Sequence, residues 1–153
     1  MKNIILFLLL ISLIGCNEGK IEKFDILPLL ESKVLLAKNS SKMVKLELCN
    51  IDAFKWDKII VIQPYSTPEM IRSYELDNSR FVEKHMLDTL YRETDCLLLF
   101  VKERTIIRHC YVPLRLVDFT SINPHSAKII SKDLACKKLY IRNVNSTIAL
   151  YSR

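Results

Sequence analysis

The sequence predicts an α+β fold: a mainly antiparallel sheet of about five strands with two or three helices packed on one face. Three observations carry that prediction. Apolar runs too short for helices, Ile59-Ile60-Val61-Ile62 and Cys96-Leu97-Leu98-Leu99-Phe100-Val101, are bounded by polar turns. Two longer stretches, 26–38 and 79–92, carry apolar residues at helical spacing. With 50% hydrophobic residues and 2 glycines among 153, the chain has the composition of a folded protein, and the mixed order of strands and helices places it in the α+β class.

Asp25 caps a first helix over roughly 26–38, in which Leu27, Leu30, Val34 and Leu35 recur at helical spacing and Asn39-Ser40-Ser41 is the stop. Val44, Leu46 and Leu48 alternate with Lys45, Glu47 and Cys49, the period of a half-buried strand. Ile59 to Ile62 is a buried strand ended by Gln63-Pro64-Tyr65. Ser66-Thr67-Pro68-Glu69 combines a cap, a first-turn proline and an acid, so a helix runs from Pro68 toward Glu75. From Ser79 to Arg92, residues Phe81, Val82, Met86, Leu87 and Leu90 give a further helix its sheet-facing stripe. A hairpin follows, Cys96 to Val101 and Thr105 to Val112, around a loop at Lys102 to Arg104. Its first strand reads as central and covered on both faces, and Pro113 ends the second. Residues 114–127 read as irregular. Near the C-terminus, Lys138 to Arg142 and Thr147 to Tyr151 flank Asn143-Val144-Asn145 as a second hairpin. No repeat, low-complexity tract or proline-rich linker interrupts the chain, so 24–153 reads as a single domain.

The N-terminus has a different composition. Met1-Lys2-Asn3 is followed by the apolar stretch Ile4 to Ile14 and then by Leu13-Ile14-Gly15-Cys16. A basic start, a short apolar region and a small residue before the cysteine describe an export signal, and the stretch is too short for a spanning helix. Leu13-Ile14-Gly15-Cys16 resembles the lipobox of bacterial lipoproteins. The resemblance implies that residues 1–15 are a signal peptide and that Cys16 receives diacylglycerol and, after cleavage, an acyl chain such as palmitate on its new amino group. Residues 16–23 then form a short polar tether. Three acyl chains anchor a protein in effect permanently, so the membrane is the first expected partner and the cell envelope the expected location. Asn17 after the cysteine favours the periplasmic side of the outer membrane in a Gram-negative host.

Once Lys2 is removed with the signal, 22 basic residues stand against 17 acidic ones, a net charge of +5. The basic residues are scattered; the densest sites, Lys102-Glu103-Arg104 and Lys137-Lys138, are shorter than the runs that bind nucleic acid, which is not an expected partner. Two glycines leave no G-x-G-x-x-G or Walker pattern, and no cofactor is expected. The three histidines, His85, His109 and His125, lie outside any H-x-x-x-H or H-E-x-x-H frame, so no metal is expected. His109 and Cys110, adjacent on a strand, point to opposite faces and form no nucleophile–base pair. There is no G-x-S-x-G elbow, and Asp88, Glu93 and Asp95 read as solvated acids, so no catalytic residue is assigned.

Cys49, Cys96, Cys110 and Cys136 remain after Cys16 is acylated, an even number in a compartment that permits disulfides. They read equally as buried thiols or as containing at least one bridge. If bridged, the pair Cys96 and Cys110 is favoured, because a three-residue loop at 102–104 would set them opposite each other.

The segment Phe54-Lys55-Trp56-Asp57-Lys58-Ile59-Ile60-Val61-Ile62-Gln63-Pro64-Tyr65-Ser66-Thr67-Pro68 resembles a motif of small uncharacterised bacterial lipoproteins, in which a W-D pair precedes an apolar strand and a P-Y turn. That resemblance names no activity. Read from the residues, Trp56 is a packing anchor, Asp57 a backbone acceptor and Tyr65 a ring closing the sheet edge; alternatively Trp56, Tyr65 and Tyr74 line a binding surface. The expectation is a membrane-tethered, non-enzymatic lipoprotein that binds another envelope protein or supports an envelope complex. A small-ligand-binding lipoprotein is the alternative, and an exported hydrolase a more distant one.

Overall fold

A computed structural model describes residues 21–40, 42–90, 93–119 and 129–152, with the side chains of 85–90 excepted. The expected signal segment 1–15, Cys16 and His125 lie outside the described residues, as do the side chains of His85 and Asp88. The elements are β1 (Glu22–Lys23), α1 (Leu27–Lys38), β2 (Val44–Lys45), a 3-10 turn (Leu48–Asn50), β3 (Lys58–Ile62), α2 (Pro68–Arg72), α3 (Ser79–Leu90), β4 (Asp95–Lys102), β5 (Thr105–Pro113), β6 (Ile129–Ser131), α4 (Lys132–Lys137), β7 (Leu139–Val144) and β8 (Thr147–Ser152). They form a five-stranded sheet in the order β1-β5-β4-β3-β6 and a three-stranded sheet β2-β7-β8. Among the described residues, the short β1–β5 pairing is the one parallel strand ladder. The fold class is thus the expected α+β with a mostly antiparallel sheet, and the C-terminal hairpin builds a sheet of its own.

The helices do not gather on one face. β3 and β4 are buried along nearly their whole length on both sides, so each face of the larger sheet needs a cover. Ile59 and Val61 of β3, with Cys96, Leu98 and Phe100 of β4, face a first core completed by Leu30, Val34 and Ala37 of α1, Ala135 of α4, and Leu139, Ile141, Ile148 and Leu150 of the small sheet. The alternate residues Ile60, Ile62, Leu97, Leu99 and Val101 face a second core with Ile71 of α2 and Val82 of α3.

Four local differences from the sequence reading have identifiable causes. Ile21 is buried and Glu22–Lys23 pair with Arg108 and His109, so the last residues of the expected tether belong to the sheet. The alternating stretch 44–49 is a strand only at Val44–Lys45; Leu46 still donates to the Leu139 carbonyl at 2.9 Å, and the chain then curls into the 3-10 turn that brings Cys49 to α4. The helix begun at Pro68 stops at Arg72, where the Ser73 N–H returns to the Glu69 carbonyl and Glu75 turns left-handed at φ 51°. Strand β6 and helix α4 went unread, although Ser131 caps the helix by accepting from the Leu134 N–H at 3.2 Å and Asp133 pairs with Lys137 one turn on at 2.6 Å.

Of the two expected start signals, Thr67 is the N-cap of α2, whereas α1 takes Ile26 as its N-cap without a side-chain cap bond, so Asp25 stands one residue ahead of that position. Asp25 accepts from the Leu27 N–H at 3.1 Å, and Thr67 accepts from the Met70 N–H at 3.4 Å.

The loop beneath the β4–β5 turn is tied down from two sides. Asp57 accepts the Glu103 N–H at 2.7 Å, which makes it the backbone acceptor expected of it. On the other side the Asn78 amide donates to the Ile106 carbonyl and accepts from the Ile106 N–H, both at 2.9 Å, substituting for a strand partner at that edge.

Trp56 is 1% exposed and stands at the head of β3 in the first core. Its ring meets Phe100 edge-on at 5.9 Å, and Phe100 also meets Phe24 and Phe54 edge-on at 5.7 and 5.2 Å. Pairs of this geometry add about 0.5–1.5 kcal/mol beyond the area they bury. Trp56→Ala should therefore lower unfolding stability by about 3–5 kcal/mol, measured by chemical denaturation of the folded protein; a loss under 1 kcal/mol would place the indole outside the core.

Candidate functional site

Trp56, Tyr65 and Tyr74 are not one surface. Trp56 lies in the first core and Tyr74 packs half-buried against the second, on the opposite side of the sheet. Tyr65 lies beyond the far end of β3, whose five residues alone span about 16 Å. It does not close the sheet edge: it is 65% exposed.

Its backbone explains the exposure. The Ser66 N–H donates to the Gln63 carbonyl at 3.2 Å, closing a four-residue turn with Pro64 second and Tyr65 third. Tyr65 has φ 64°, the sign a type II turn requires at its third position, where glycine is the favoured residue. A bulky residue there is strained, and the turn directs its ring outward. The Glu93 carboxylate accepts from the Tyr65 hydroxyl and holds the phenol above its usual pKa. Met70, 49% exposed, is on the helix that follows.

Glu93 leads into an open cleft of about 420 Å³ lined by Thr94, Asp95, Pro113, Leu114 and Arg115. It forms where the β4–β5 ladder ends at the Asp95–Pro113 pair and the Leu114 N–H closes onto the Thr94 carbonyl at 2.8 Å. The C-terminal end of β3, the N-terminal end of β4 and the C-terminal end of β5 thus meet at one end of the sheet. The described lining offers an apolar wall from Pro113 and Leu114 beside one acid, one base and a hydroxyl. Such a set suits a segment with one apolar side chain and a polar flank. Sequence reasoning missed Arg115 and Leu114 because both fall in a stretch without periodicity.

The other singled-out residues lie elsewhere. His109 and Cys110 do point to opposite faces: Cys110 enters the first core, while His109 sits 6.0 Å from Phe81 and 5.9 Å from Tyr111 on the other side. Burial, with Lys23 beside it, pushes the His109 pKa down. Among the described residues, no group of three or more metal-ligating side chains forms.

A bridge is present, but it joins Cys49 and Cys136, whose Cα atoms are 5.0 Å apart, and not Cys96 and Cys110, the pair favoured if one formed. The hairpin turns on two residues, Glu103 and Arg104, rather than three, and a bulge at Phe100/Val101 shifts the register again. Cys96 therefore faces Val112, and Cys110 faces Leu98. The two cysteines are diagonal neighbours, about 7–8 Å apart in such a ladder and beyond bridging distance.

Both are buried thiols, and burial pushes the Cys110 pKa far above its usual value. In the native protein neither should be alkylated within hours, whereas denaturation should expose two thiols and reduction two more from the Cys49–Cys136 pair. Peptide mass mapping reads the pattern; rapid native labelling of Cys110 would contradict it. Comparison with known proteins gives no match to a protein-family model, to a curated protein or to a solved structure.

Proposed function

We propose that the chain is a membrane-tethered accessory lipoprotein, anchored through Cys16 and docking a second envelope protein on the Tyr65 end of its larger sheet. The observation that carries the docking reading is Tyr65 itself, an exposed aromatic held in a strained left-handed turn and hydrogen-bonded to Glu93, the residue that precedes the cleft-lining Thr94. Strain of about 1–3 kcal/mol at an exposed side chain earns no packing in the isolated domain, so its return lies in contact with something else. Tyrosine is also among the residues that most often dominate protein interfaces. The lipobox supplies the address, and a disulfide that joins residues 87 positions apart fits export into an oxidising compartment. A second reading, a small-ligand-binding lipoprotein, draws on the cleft's volume, which lies within the usual range for ligand sites, though its open form suits a protruding segment better.

Two experiments test these parts separately. Intact-mass measurement of protein extracted from membranes should show a chain beginning at Cys16 with acyl additions; a mature chain beginning elsewhere without lipid removes the address. For the docking end, Tyr65→Gly relieves the turn and deletes the ring. It should leave thermal stability unchanged or raise it by up to about 1 kcal/mol while lowering capture of the envelope partner, by a photo-crosslinker at Leu114, at least fivefold. Undiminished crosslinking in the Tyr65→Gly protein would refute the docking surface. A small molecule retained at the cleft in native mass spectrometry would favour the second reading.

A further inference from the structure

We infer that the C-terminal end of α1 is a bilayer-contact face, with Leu35 and Leu36 entering the headgroup boundary and Lys38 and Lys42 meeting anionic lipid phosphates. The inference rests on the reading of Cys16 as the lipid anchor. α1 buries Leu30, Val34 and Ala37 in the first core, yet on its outer side Leu35 is 62% and Leu36 56% exposed. The two leucines are consecutive, about 100° apart around the helix, and both stand in water at its C-terminal end. Lys38 follows Leu35 by three positions and lies on the same side of the helix; Lys42 follows just beyond the helix end. Neighbouring Lys45 is engaged by Glu47 at 2.8 Å, but among the described residues neither Lys38 nor Lys42 pairs with a carboxylate. Apolar residues flanked by uncommitted lysines are the composition of a surface that meets an anionic membrane.

What covers this face follows from the length of chain ahead of it. Cys16 stands five positions before the buried Ile21, so a fully extended tether reaches about 17 Å. α1 begins six residues after Ile21 and is itself about 18 Å long. An acylated Cys16 therefore confines α1 to within roughly a helix length or two of the lipid surface, at a high effective concentration. The bilayer is the one surface the tether guarantees within that range. A soluble partner has no such guarantee, and a second copy would have to bring another set of lysines against these.

The test uses the mature lipidated protein, carrying Leu36→Cys labelled with an environment-sensitive fluorophore and reconstituted in phosphatidylethanolamine/phosphatidylglycerol vesicles. Cys96 and Cys110 are buried and the other pair is bridged, so the new cysteine labels selectively. Lipids brominated near the headgroup should quench the probe at 36 at least twofold more than the same probe at Glu103→Cys, and Lys38→Glu with Lys42→Glu should remove the difference. Equal quenching at 36 and 103 in a protein whose mass shows acylated Cys16 overturns the contact face alone. Absence of acyl groups overturns the anchor and the face with it. A probe already shielded in detergent, in proportion to protein concentration, would assign the face to a second copy and overturn the bilayer contact.

Discussion

Strand β4 has no side that can face water. Six of its residues in succession, Cys96 to Val101, are buried, and because successive side chains alternate, half of them point to each face of the sheet. Everything else in the domain is arranged around that demand. One face takes Cys96, Leu98 and Phe100 against α1 and the small sheet; the other takes Leu97, Leu99 and Val101 against α2 and α3. Burying a side chain such as Leu or Phe contributes about 1.5–3 kcal/mol, so leaving the three residues on either face of β4 uncovered would cost about 4.5–9 kcal/mol, comparable to the net stability of a typical domain. Two cores on either side of one sheet are the result, and the position of Phe100 amid Trp56, Phe54 and Phe24 is the densest expression of it.

The layers so created are held together by connections that cross them. The Cys49–Cys136 bridge joins the 3-10 turn after β2 to α4, and a closure of 87 positions removes about 4–5 kcal/mol of unfolded-chain entropy on the chain-entropy account. At the N-terminal edge the two residues of β1 would be marginal alone, but Glu22 reaches Arg108 at 2.7 Å, and the Arg108 guanidinium lies 5.5 Å over the Phe54 ring. An ion pair this exposed contributes little by itself; its effect here is to fix where the chain enters the sheet. The described chain thus enters at the sheet edge, so under the proposed lipidation a pull on the N-terminal segment would fall on β1 and β5 first.

How much of this the sequence disclosed depends on how many residues each element had to disclose itself with. Eight- and nine-residue strands with strong apolar patterns, β4 and β5, and the helices over 27–38 and 79–90 were readable because the period repeats several times within them. β1 and β6, of two or three residues, contain no period at all and are strands because neighbours present an open edge; β2 was legible only within the longer alternating stretch 44–49, most of which is not strand. The Cys96–Cys110 pairing failed on two one-residue shifts, the two-residue turn at Glu103–Arg104 and the extra residue Ile107 opposite the Phe100/Val101 bulge, neither of which a local pattern announces. Trp56 and Tyr65 looked like one aromatic surface because they sit nine positions apart around β3, but an extended strand separates its two ends by more than any side chain spans. The cleft residues Pro113, Leu114 and Arg115 were hidden for the converse reason: they join the site only because the ends of β3, β4 and β5 coincide in the sheet.

Among the described residues, five non-glycine residues take positive φ, and their chemistry separates four that make turns from one that the turn does not explain. Asn145 and Ser146 link β7 to β8 in a two-residue turn with φ 49° and 69°, the signs that a type I′ hairpin needs, and asparagine tolerates them well. Glu103 reverses β4 into β5, and its N–H is captured by Asp57. Glu75 follows the end of α2, where a left-handed residue commonly stops a helix. Each of these four sits where chain reversal demands the conformation and the side chain is polar and indifferent. Tyr65 meets the same backbone demand with the residue type least suited to it, since its large ring gains no burial in return. A glycine in that position would make the same turn at lower cost. The turn therefore does not account for the tyrosine. The hydrogen bond to Glu93 accounts for the hydroxyl's position but not for a ring left in water, and the proposed docking surface rests on that unexplained exposure.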